Sequence, residues 1–454
     1  MNLSAAGIPR AVARSYDSAM DELFDLPPTE AGPDEPEGRG RPRLQRPQRG
    51  QITLRPTDLE SLLPADHRAR SVWTFVEGLD LAAFHEGIRA VEGHSGRPPI
   101  DPAILVSLWL YATLEGIGSA RALDRLCDEH DAYRWLCGGV GVNYHTLADF
   151  RSSNADLLDG LLSQSVAALL VSGEVTLERV AHDGVRVRAS AGAGSYRTKG
   201  GLRRALAEAS TQVKRLREEL DDDPAATSRR QAAARERAAR EREARVRAAL
   251  DVLPELEAAK RRNRKPVDEA RSSTTDPDAR VMRLGDGGYR PAYNGQYTTD
   301  VGSGLVCGVG VINRGSDQGE LGQAVERLER AFGRRPAELL ADGGYVRLDE
   351  IETLEGCGTA VYAPPLTRAR TDPRDRRARG QGLDAWRSRM ASDEAQTIYR
   401  QRAASAEWVN ALARNRGLQQ FRVRGLEKVR SVLLWFALAH NLDRTLAIRA
   451  GAAG

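Results

Sequence analysis

The chain contains little lysine, few aromatic residues and few cysteines for its 454 residues. Only five of its 67 basic residues are lysines, so arginine carries nearly all of the positive charge. A planar guanidinium suits bidentate contacts to phosphate, but GC-rich codon usage is the simpler cause of this bias, because it also explains the many alanines and glycines. The scarcity of lysine therefore does not by itself identify a ligand.

The chain also lacks the cysteine spacing of a metal site. Its four cysteines form no CxxC pair, and no histidine pair accompanies them at the spacing of a zinc site. We therefore expect reduced packing residues of a cytosolic protein. They are Cys127, Cys137, Cys307 and Cys357.

No segment is apolar over the length that a membrane requires. A spanning helix needs about 20 apolar residues, and the longest apolar run, SVLLWFALAH near residue 435, has roughly half of that. The N-terminus contains no apolar core of a signal peptide. The sequence thus predicts a soluble cytoplasmic protein without a membrane partner. Its net charge of +4 is modest but clustered, which is compatible with nucleic acid and does not require it.

Composition and periodicity divide the chain into three parts. Residues 1–53 pass from an acidic, proline-rich stretch to a basic one with too few apolar residues for a core, which predicts a disordered tail. Residues 54–172 have helical periodicity and predict an all-α domain. Residues 173–446 alternate between strand and helix patterns and predict an α/β domain.

Several helix starts are marked in the helical part. Asp101 followed by Pro102 is typical of a cap and a first-turn proline. Ser119 and Thr146 are candidate caps of further helices.

The α/β part begins with two β stretches that are separated by an insert. VTLERVAHD followed by VRVRAS is strand-like, and YNGQYTTDVGSGLVCGVGVIN predicts a hairpin around DVGSG. Residues 201–262 between them predict a helical hairpin, because apolar residues recur twice per heptad until DDDPAATS breaks the pattern. The charge of this hairpin suits either a DNA-contacting arm or a solvated helix surface.

Strands and helices alternate after the β-hairpin. A helix face at 321–332 is followed by the strand PAELLAD, the helix RLDEIETLEGCG and the strand TAVYAPP. An arginine-rich loop at 366–383 and a long helix from about 384 to 416 complete the order. This order predicts a mixed sheet, first antiparallel and then parallel through right-handed crossovers.

Three acids occupy positions from which they could meet. Asp183 is predicted to end the first strand and Asp342 to end the strand in LLADGGY. If these strands are neighbours, as we predict, both carboxylates lie at the carboxyl edge of the sheet. Glu407, in a helix rich in alanine, could reach them, because alanines let a helix lie close to a sheet.

Three carboxylates at one edge would suit Mg²⁺, which prefers oxygen ligands and completes its shell with water and phosphate. Two such ions about 3.5–4 Å apart could support an in-line phosphoryl displacement. Each acid alone has a simpler interpretation as a turn, a cap or a solvated residue, so the signal lies in the combination. Gly184 and Gly343 suit either close approach by a ligand or a plain turn. His182 is interpreted as a packing or hydrogen-bonding residue.

Several motifs occur in an order that resembles the DDE transposases of bacterial insertion sequences. They run from about residue 54 to 446. They are GRPPIDPAILVSLWLYATLEGIGSARALDRL, YHTLADFR, HDGVRVRAS, STTDPDARVM, PAYNGQ, LLADGGY, YRQRAASAE, RGLEKVR and LAHNLDR. The resemblance implies an N-terminal helical domain at 54–172 and a ribonuclease-H-like catalytic domain at 173–446.

The resemblance also assigns roles to individual residues. Asp183, Asp342 and Glu407 are implied to be the catalytic metal ligands of two Mg²⁺ ions, with Mn²⁺ as a substitute. Four residues separate Arg402 from Glu407, one more than in the best-described form of the motif, and Glu394 precedes the tyrosine as a rival to Glu407. The implied DNA-contacting residues are Tyr399, Arg402, Arg414, Arg424 and Lys428, where Arg414 replaces the lysine of the family motif.

The implied function is cleavage at the ends of a mobile element and transfer of the freed 3′-hydroxyl into target DNA. The partners would be double-stranded terminal repeats and target DNA at the bacterial nucleoid. A homodimer is expected in the active complex, because joining two ends requires two catalytic subunits. The alternatives are a catalytically silent or domesticated DNA-binding protein, and a nuclease on the same fold.

Overall fold

A computed structural model of the chain describes residues 58–88, 90, 98–222, 229–365 and 379–452. The predicted tail at 1–53 and residues 366–378 of the predicted basic loop lie outside the described residues. The first part of the structure is helical, as predicted. Its helices are α1 (Arg68–Glu77), α2 (Ala82–His85), α3 (Pro102–Leu114), α4 (Ala120–Glu129), α5 (Asp131–Cys137), α6 (Tyr144–Ser153) and α7 (Ala155–Val171).

The caps of these helices follow the sequence in two cases out of three. The Asp101 carboxylate accepts a hydrogen bond from the backbone N–H of Ala103 at 2.8 Å, and Ser119 caps α4. The prediction for Thr146 is wrong. Asn143 caps α6 instead, because its side-chain oxygen accepts from two backbone N–H groups and its amide donates to the Thr146 hydroxyl.

The centre of the second part is a mixed sheet, so the predicted α/β class with a ribonuclease-H-like sheet is confirmed. The strands are β1 (Arg179–Arg188), β4 (Arg280–Arg283), β5 (Tyr289–Asp300), β6 (Val306–Ile312), β7 (Glu338–Ala341) and β8 (Ala360–Tyr362), beside a small sheet of β2 (Tyr196–Arg197) and β3 (Ser272–Ser273). The strand order of the large sheet is β4-β5-β1-β7-β8, and β6 pairs with β5 beside β4. β1 pairs with β5 antiparallel and with β7 parallel, and β7 pairs with β8 parallel.

The first strand corrects a prediction. Asp183 does not end a strand, because β1 continues through it to Arg188. β5 is long enough to pair with β1 from Val180 to Arg188, which keeps one ladder intact where local sequence suggested a break. The pairing of β1 with β7, by contrast, stops at His182.

Helices cover and extend the sheet. The predicted hairpin insert at 201–262 corresponds to α8, α9 and the short α10, which share a small core of their own around Leu202 and Val246. The helices of this part are α8 (Lys199–Asp222), α9 (Arg229–Asp251), α10 (Leu253–Arg262), α11 (Leu321–Phe332), α12 (Leu348–Gly356), α13 (Gln381–Met390), α14 (Asp393–Arg402), α15 (Trp408–Asn415) and α16 (Leu426–Ala452).

The long helix predicted from about 384 to 416 is broken twice. It stops at Met390, and Ser392 caps α14 by accepting from the backbone N–H of Ala395. A π-helical turn, Ala403–Glu407, then separates α14 from α15. A serine that bonds the backbone ahead of it favours a new helix start over continuation.

α16 joins the helical part to the sheet. It packs on α3, α6 and α7 and also on β5 and β6, and one hydrophobic core runs through all of them. The side chain of Asn441 bonds both backbone groups of Val306, each at 2.8 Å, and thereby completes the edge of β6. Of the cysteines, three are buried as expected, but Cys357 is exposed after the end of α12. Within the described ranges, no helix has the length and apolar character of a membrane span.

Candidate active site

Two of the three predicted acids come directly after the point where two adjacent strands stop pairing. The parallel ladder of β1 and β7 ends with His182 opposite Ala341; Asp183 is the next residue of β1, and Asp342 directly follows the end of β7. The predicted neighbour relation of the two strands is therefore confirmed by their pairing. Both residues therefore lie in the same region of the sheet edge, at the carboxyl end of the parallel pairing, where open α/β sheets bind ligands.

Asp183 is enclosed by residues from three elements. Its Oδ1 accepts a hydrogen bond from the backbone N–H of Gly184 at 2.9 Å, and its Oδ2 accepts from the Asn410 amide at 3.1 Å. The Arg402 guanidinium lies 3.5 Å from Oδ2. Burial raises the pKa of Asp183; Arg402 opposes this effect, and the charges of Asp342 and Glu407 add to it. The charges of Asp342 and Glu407 therefore reach Asp183.

The π-helical turn explains how Arg402 and Glu407 meet despite the extra residue between them. In an α-helix, residues five apart do not share a face. The turn at 403–407 absorbs one residue, as single π-bulges do, and brings Nη2 of Arg402 within 2.5 Å of Oε1 of Glu407. Arg402 thus contacts both Asp183 and Glu407. Glu394, the rival acid, lies in the first turn of α14, before this turn.

Of the alanines beside Glu407, only Ala406 packs against the sheet, because Ala403 and Ala404 are exposed. Ala406 is buried against Ala181 and Leu340, as is Ala395 of α14. Glu407 itself remains 53 % exposed at the edge, whereas Asp183 is 18 % exposed. The π-helical segment therefore lies close to β1 while its last carboxylate stays accessible.

Asp342 has a local structural role in addition to its position. Its Oδ1 accepts from the backbone N–H of Gly344 at 2.9 Å and caps a short 3₁₀ turn, Gly343–Tyr345. Asp342 is exposed to solvent. Asp342 thus caps a turn, which is the simpler role that its sequence position suggested. It also directly follows β7, the strand that pairs with β1.

The donor chemistry of the three acids fits Mg²⁺, which prefers carboxylate oxygens. In the described part of the chain, however, no three acidic, histidine or cysteine side chains are gathered closely enough to hold one ion together. The guanidinium of Arg402 lies between Asp183 and Glu407, so it provides the positive charge at this position. Shared coordination by both acids would require Arg402 to move.

The predicted DNA-contacting residues fall into two groups. Tyr399 and Arg402 belong to the acid cluster, where the Arg402 guanidinium carbon lies 5.7 Å from the Tyr399 ring centroid. Arg414, Arg424 and Lys428 are exposed on later segments. Arg424 donates to the backbone oxygen of Ser190 at 3.2 Å.

Arg424 also lines a basic cleft between the helical hairpin and the sheet domain. This cleft has a volume of about 520 Å³, and among the described residues Glu208 is the one acid in its lining. Its arginines are Arg197, Arg204, Arg242, Arg245 and Arg424. None of the three predicted metal ligands lines this cleft, so the positive surface extends beyond the acid cluster.

A buried polar network beside Asp183 was not predicted from the sequence. The Tyr345 hydroxyl donates to Gln296 at 2.6 Å, and the amides of Gln296 and Asn294 both donate to Asp317. The alternation in YNGQY places Asn294 and Gln296 on one face of β5, which was the available signal. Nothing in the local sequence indicated Asp317 as their partner.

This network explains Gly184. A Cβ atom there would lie 2.7 Å from the Asn294 Oδ1, 2.8 Å from the Gln296 amide nitrogen and 3.0 Å from the Tyr345 hydroxyl. The space beside Gly184 is therefore filled by side chains of the protein itself.

We expect Gly184→Ala to lower the free energy of unfolding by about 1–3 kcal/mol, the usual cost of overpacking. Urea unfolding measures this loss. Gly160→Ala in α7 is the matched control, because its Cβ would meet nothing within 4 Å, and alanine is favoured over glycine inside a helix. Equal stability of Gly184→Ala and the wild type would contradict the packing account.

One further motif proves to be structural. In STTDPD, Asp276 accepts from the Gly425 N–H at 3.2 Å and Asp278 accepts from the Leu426 N–H at 3.1 Å. These two acids thus cap the start of α16, about 150 residues later in the chain, where the positive end of a long helix favours negative charge. Asn410, which also escaped prediction, orients Asp183 from α15.

Two family models match the chain. "Transposase domain (DUF772)" matches residues 57–153, and "Transposase DDE domain" matches residues 357–446. The second match contains Arg402 and Glu407. Asp183 and Asp342 both precede it and lie in neither match. No curated protein and no solved structure matches the chain.

Proposed function

Because the chain has the architecture of a DDE transposase, we propose that it cleaves DNA at the ends of a mobile element and joins the freed 3′-hydroxyl to target DNA. The observation that carries the proposal is the cluster at the sheet edge. Asp183 and Glu407 share Arg402, and Asp342 follows the strand beside Asp183. In this proposal residues 54–172 recognise the terminal repeats, and residues 173–446 carry the chemistry.

Asp183, Asp342 and Glu407 are the residues that would hold divalent cations, with Mg²⁺ as the preferred ion. When bound, such ions would supply the charge that activates an attacking hydroxyl and stabilises the leaving oxygen of a phosphoryl displacement. Asn410 and the Gly184 N–H orient the Asp183 carboxylate. The network on Asp317 keeps Tyr345 and Gln296 packed behind Gly184.

Arg402 is assigned to the flanking DNA backbone. Burial alone would lower the pKa of Arg402, but Asp183, Tyr399 and Glu407 together raise it, so the guanidinium remains charged. In the DNA-free protein it forms ion pairs with the two acids. In this proposal it exchanges those carboxylates for a phosphate when DNA binds, which releases the acids for metal coordination.

We expect Arg402→Ala to weaken complex formation with element-end DNA. The slope of log K against log[salt] should fall by about 0.9, the value for one lost phosphate contact on duplex DNA. Fluorescence anisotropy at several salt concentrations measures both quantities. Arg400→Ala is the control, because Arg400 is exposed on the same helix. A slower joining rate with unchanged binding and slope would refute the phosphate role.

The proposed activity is tested with a labelled, pre-nicked element end, Mg²⁺ and a target plasmid. Joined product supports transposition. Cut product without joining would identify a nuclease on the same fold, and a bound complex with neither product would identify a DNA-binding protein without catalysis.

The active complex is proposed to be a homodimer, because two element ends need two catalytic subunits.

The basic cleft beside the hairpin suits duplex DNA, since clustered arginines provide phosphate contacts that depend strongly on salt. The hairpin's charge also remains consistent with a solvated surface.

A further inference from the structure

A second positively charged site lies away from the acid cluster. A cavity of about 120 Å³ is enclosed where the loop before α4 meets the segment that follows α15. Its lining includes Gly118 and Arg151 from the helical part, and Arg416 and Arg422 from the later segment. None of the predicted catalytic or DNA-contacting residues lines it.

Arg151 is a buried cation without an acidic partner in the described part of the chain. It is 8 % exposed. Its Nη1 donates to the Gly118 carbonyl at 2.6 Å, and its guanidinium carbon lies 4.7 Å from the Trp109 ring centroid. Its Nε is buried without a hydrogen-bond partner, and among the described residues no carboxylate pairs with it. A buried charge of this kind is costly unless it is paired.

Arg422 brings a second uncompensated cation to the same place. It is exposed and forms no ion pair with the residues that the structure describes. A Cβ atom on Gly118 would lie 3.8 Å from Nη2 of Arg151 and 3.8 Å from Nε of Arg422, so both guanidiniums flank one point. Burial, reinforced by the charge of Arg422, lowers the pKa of Arg151 to about 10, which leaves Arg151 charged at neutral pH.

The neighbouring acids are already engaged. Asp443 binds both Arg68 and Arg416, and Glu115 lies 3.4 Å from Arg68. These groups balance one another, so they leave the charges of Arg151 and Arg422 uncompensated. The positive end of the α4 helix, which begins at Ala120, adds to the same potential.

We propose that Arg151, Arg422 and the Gly118 loop bind a phosphate of the DNA backbone. Paired guanidiniums suit a tetrahedral oxyanion because each offers parallel N–H donors. The cavity exceeds the roughly 30 Å³ that one water occupies, which leaves room for such a group. The DNA source rests on the proposed function, whereas binding of an oxyanion does not.

The consequence is a DNA contact at the junction of the two matched regions. Arg151 lies in the first of them and Arg422 in the second. A phosphate held between them would couple DNA binding by the helical part to the position of the segment that follows α15.

Inorganic phosphate is the first probe. Relative to chloride at equal ionic strength, phosphate should raise the Tm of the wild type by about 2 °C, as expected for a ligand of the folded state. Arg422→Gln should lose this rise, and Arg125→Gln should keep it, because Arg125 is an exposed arginine of α4 without an ion-pair partner in the described chain. No phosphate-specific rise in the wild type would overturn the site.

Gly118→Asp provides a second test that does not remove an arginine. Its carboxylate would reach both guanidiniums, so we expect a higher Tm than that of Gly118→Asn in phosphate-free buffer and no response to phosphate. Equal behaviour of the two variants would overturn the inference that the two charges are uncompensated.

Duplex DNA is the second probe and distinguishes the source of the phosphate. In Arg422→Gln the salt slope of DNA binding should fall by about 0.9, with no change in Arg125→Gln. An unchanged slope together with a lost phosphate response would mean that the site binds a free oxyanion, and it would overturn the assignment to DNA. The phosphate result stands even if the joining assay fails, so the two proposals fail separately.

Discussion

Asp183→Asn is expected to abolish joining of the element end while DNA binding stays within a few-fold of wild type. The change removes a proposed metal ligand but no phosphate contact. The joining rate should fall by on the order of 10³-fold or more, as for essential residues of other active sites. The labelled joining assay and anisotropy measure the two properties. The control is Asp268→Asn, which makes the same charge change at an exposed acid that is distant in sequence from Asp183. It should leave both the joining rate and DNA binding unaltered.

The stability of Asp183→Asn separates a catalytic loss from a folding loss. Because burial raises the pKa of Asp183 in the folded protein, its ionisation costs stability as the pH rises through the folded pKa. This cost is absent below its ordinary value of 3.8. In metal-free buffer the variant should therefore melt at or above the wild type at neutral pH, and the difference should shrink toward acid pH. A variant that melts lower at neutral pH would contradict the destabilising effect of burying the Asp183 charge, whereas a variant that still joins DNA would remove Asp183 from the proposed site.

Trp435→Ala is expected to cause the largest loss of stability, about 3–5 kcal/mol, as for other large core truncations. Trp435 is fully buried in α16, its indole N–H donates to the Arg151 carbonyl at 3.1 Å, and its ring lies 6.2 Å from that of Phe150. Such a loss is a large part of the 5–15 kcal/mol that typically stabilises a domain.

The form of the transition is equally informative. One hydrophobic core includes both the helical part and the sheet, so unfolding of Trp435→Ala should remain a single transition at a lower temperature. Leu446→Ala on the exposed side of the same helix is the control, with an expected effect within about 0.5 kcal/mol. Calorimetry that resolves two transitions, with only one of them shifted, would contradict a shared core.

Some residues of the site could be located from the sequence because their signals are local. The strand PAELLAD, the cap at Asp101 and the alternation of helices and strands from residue 321 to 362 are all encoded within short windows, and the structure has them. The pairing of β1 with β7 followed from that order and the handedness of crossovers. This was enough to bring Asp183 and Asp342 to adjacent strands.

Other features depend on contacts between residues that are far apart in the sequence. β1 continues through Asp183 because a strand more than 100 residues later pairs with all of it. Local periodicity indicated one helix near residue 400, but the structure has a π-helical turn there, and that turn sets how Arg402 faces Glu407.

The sequence by itself determined most of the helices and strands and which acids could meet, because helix caps, strand alternation and chain order are properties of neighbouring residues. Only the tertiary structure decided what surrounds those acids, namely Arg402 between two of them, Asn410 on Asp183 and the Asp317 network behind Gly184. It also decided that Arg151 and Arg422 meet. The physical reason is that charge compensation and burial depend on distances in space, between groups that packing brings together from far apart in the chain.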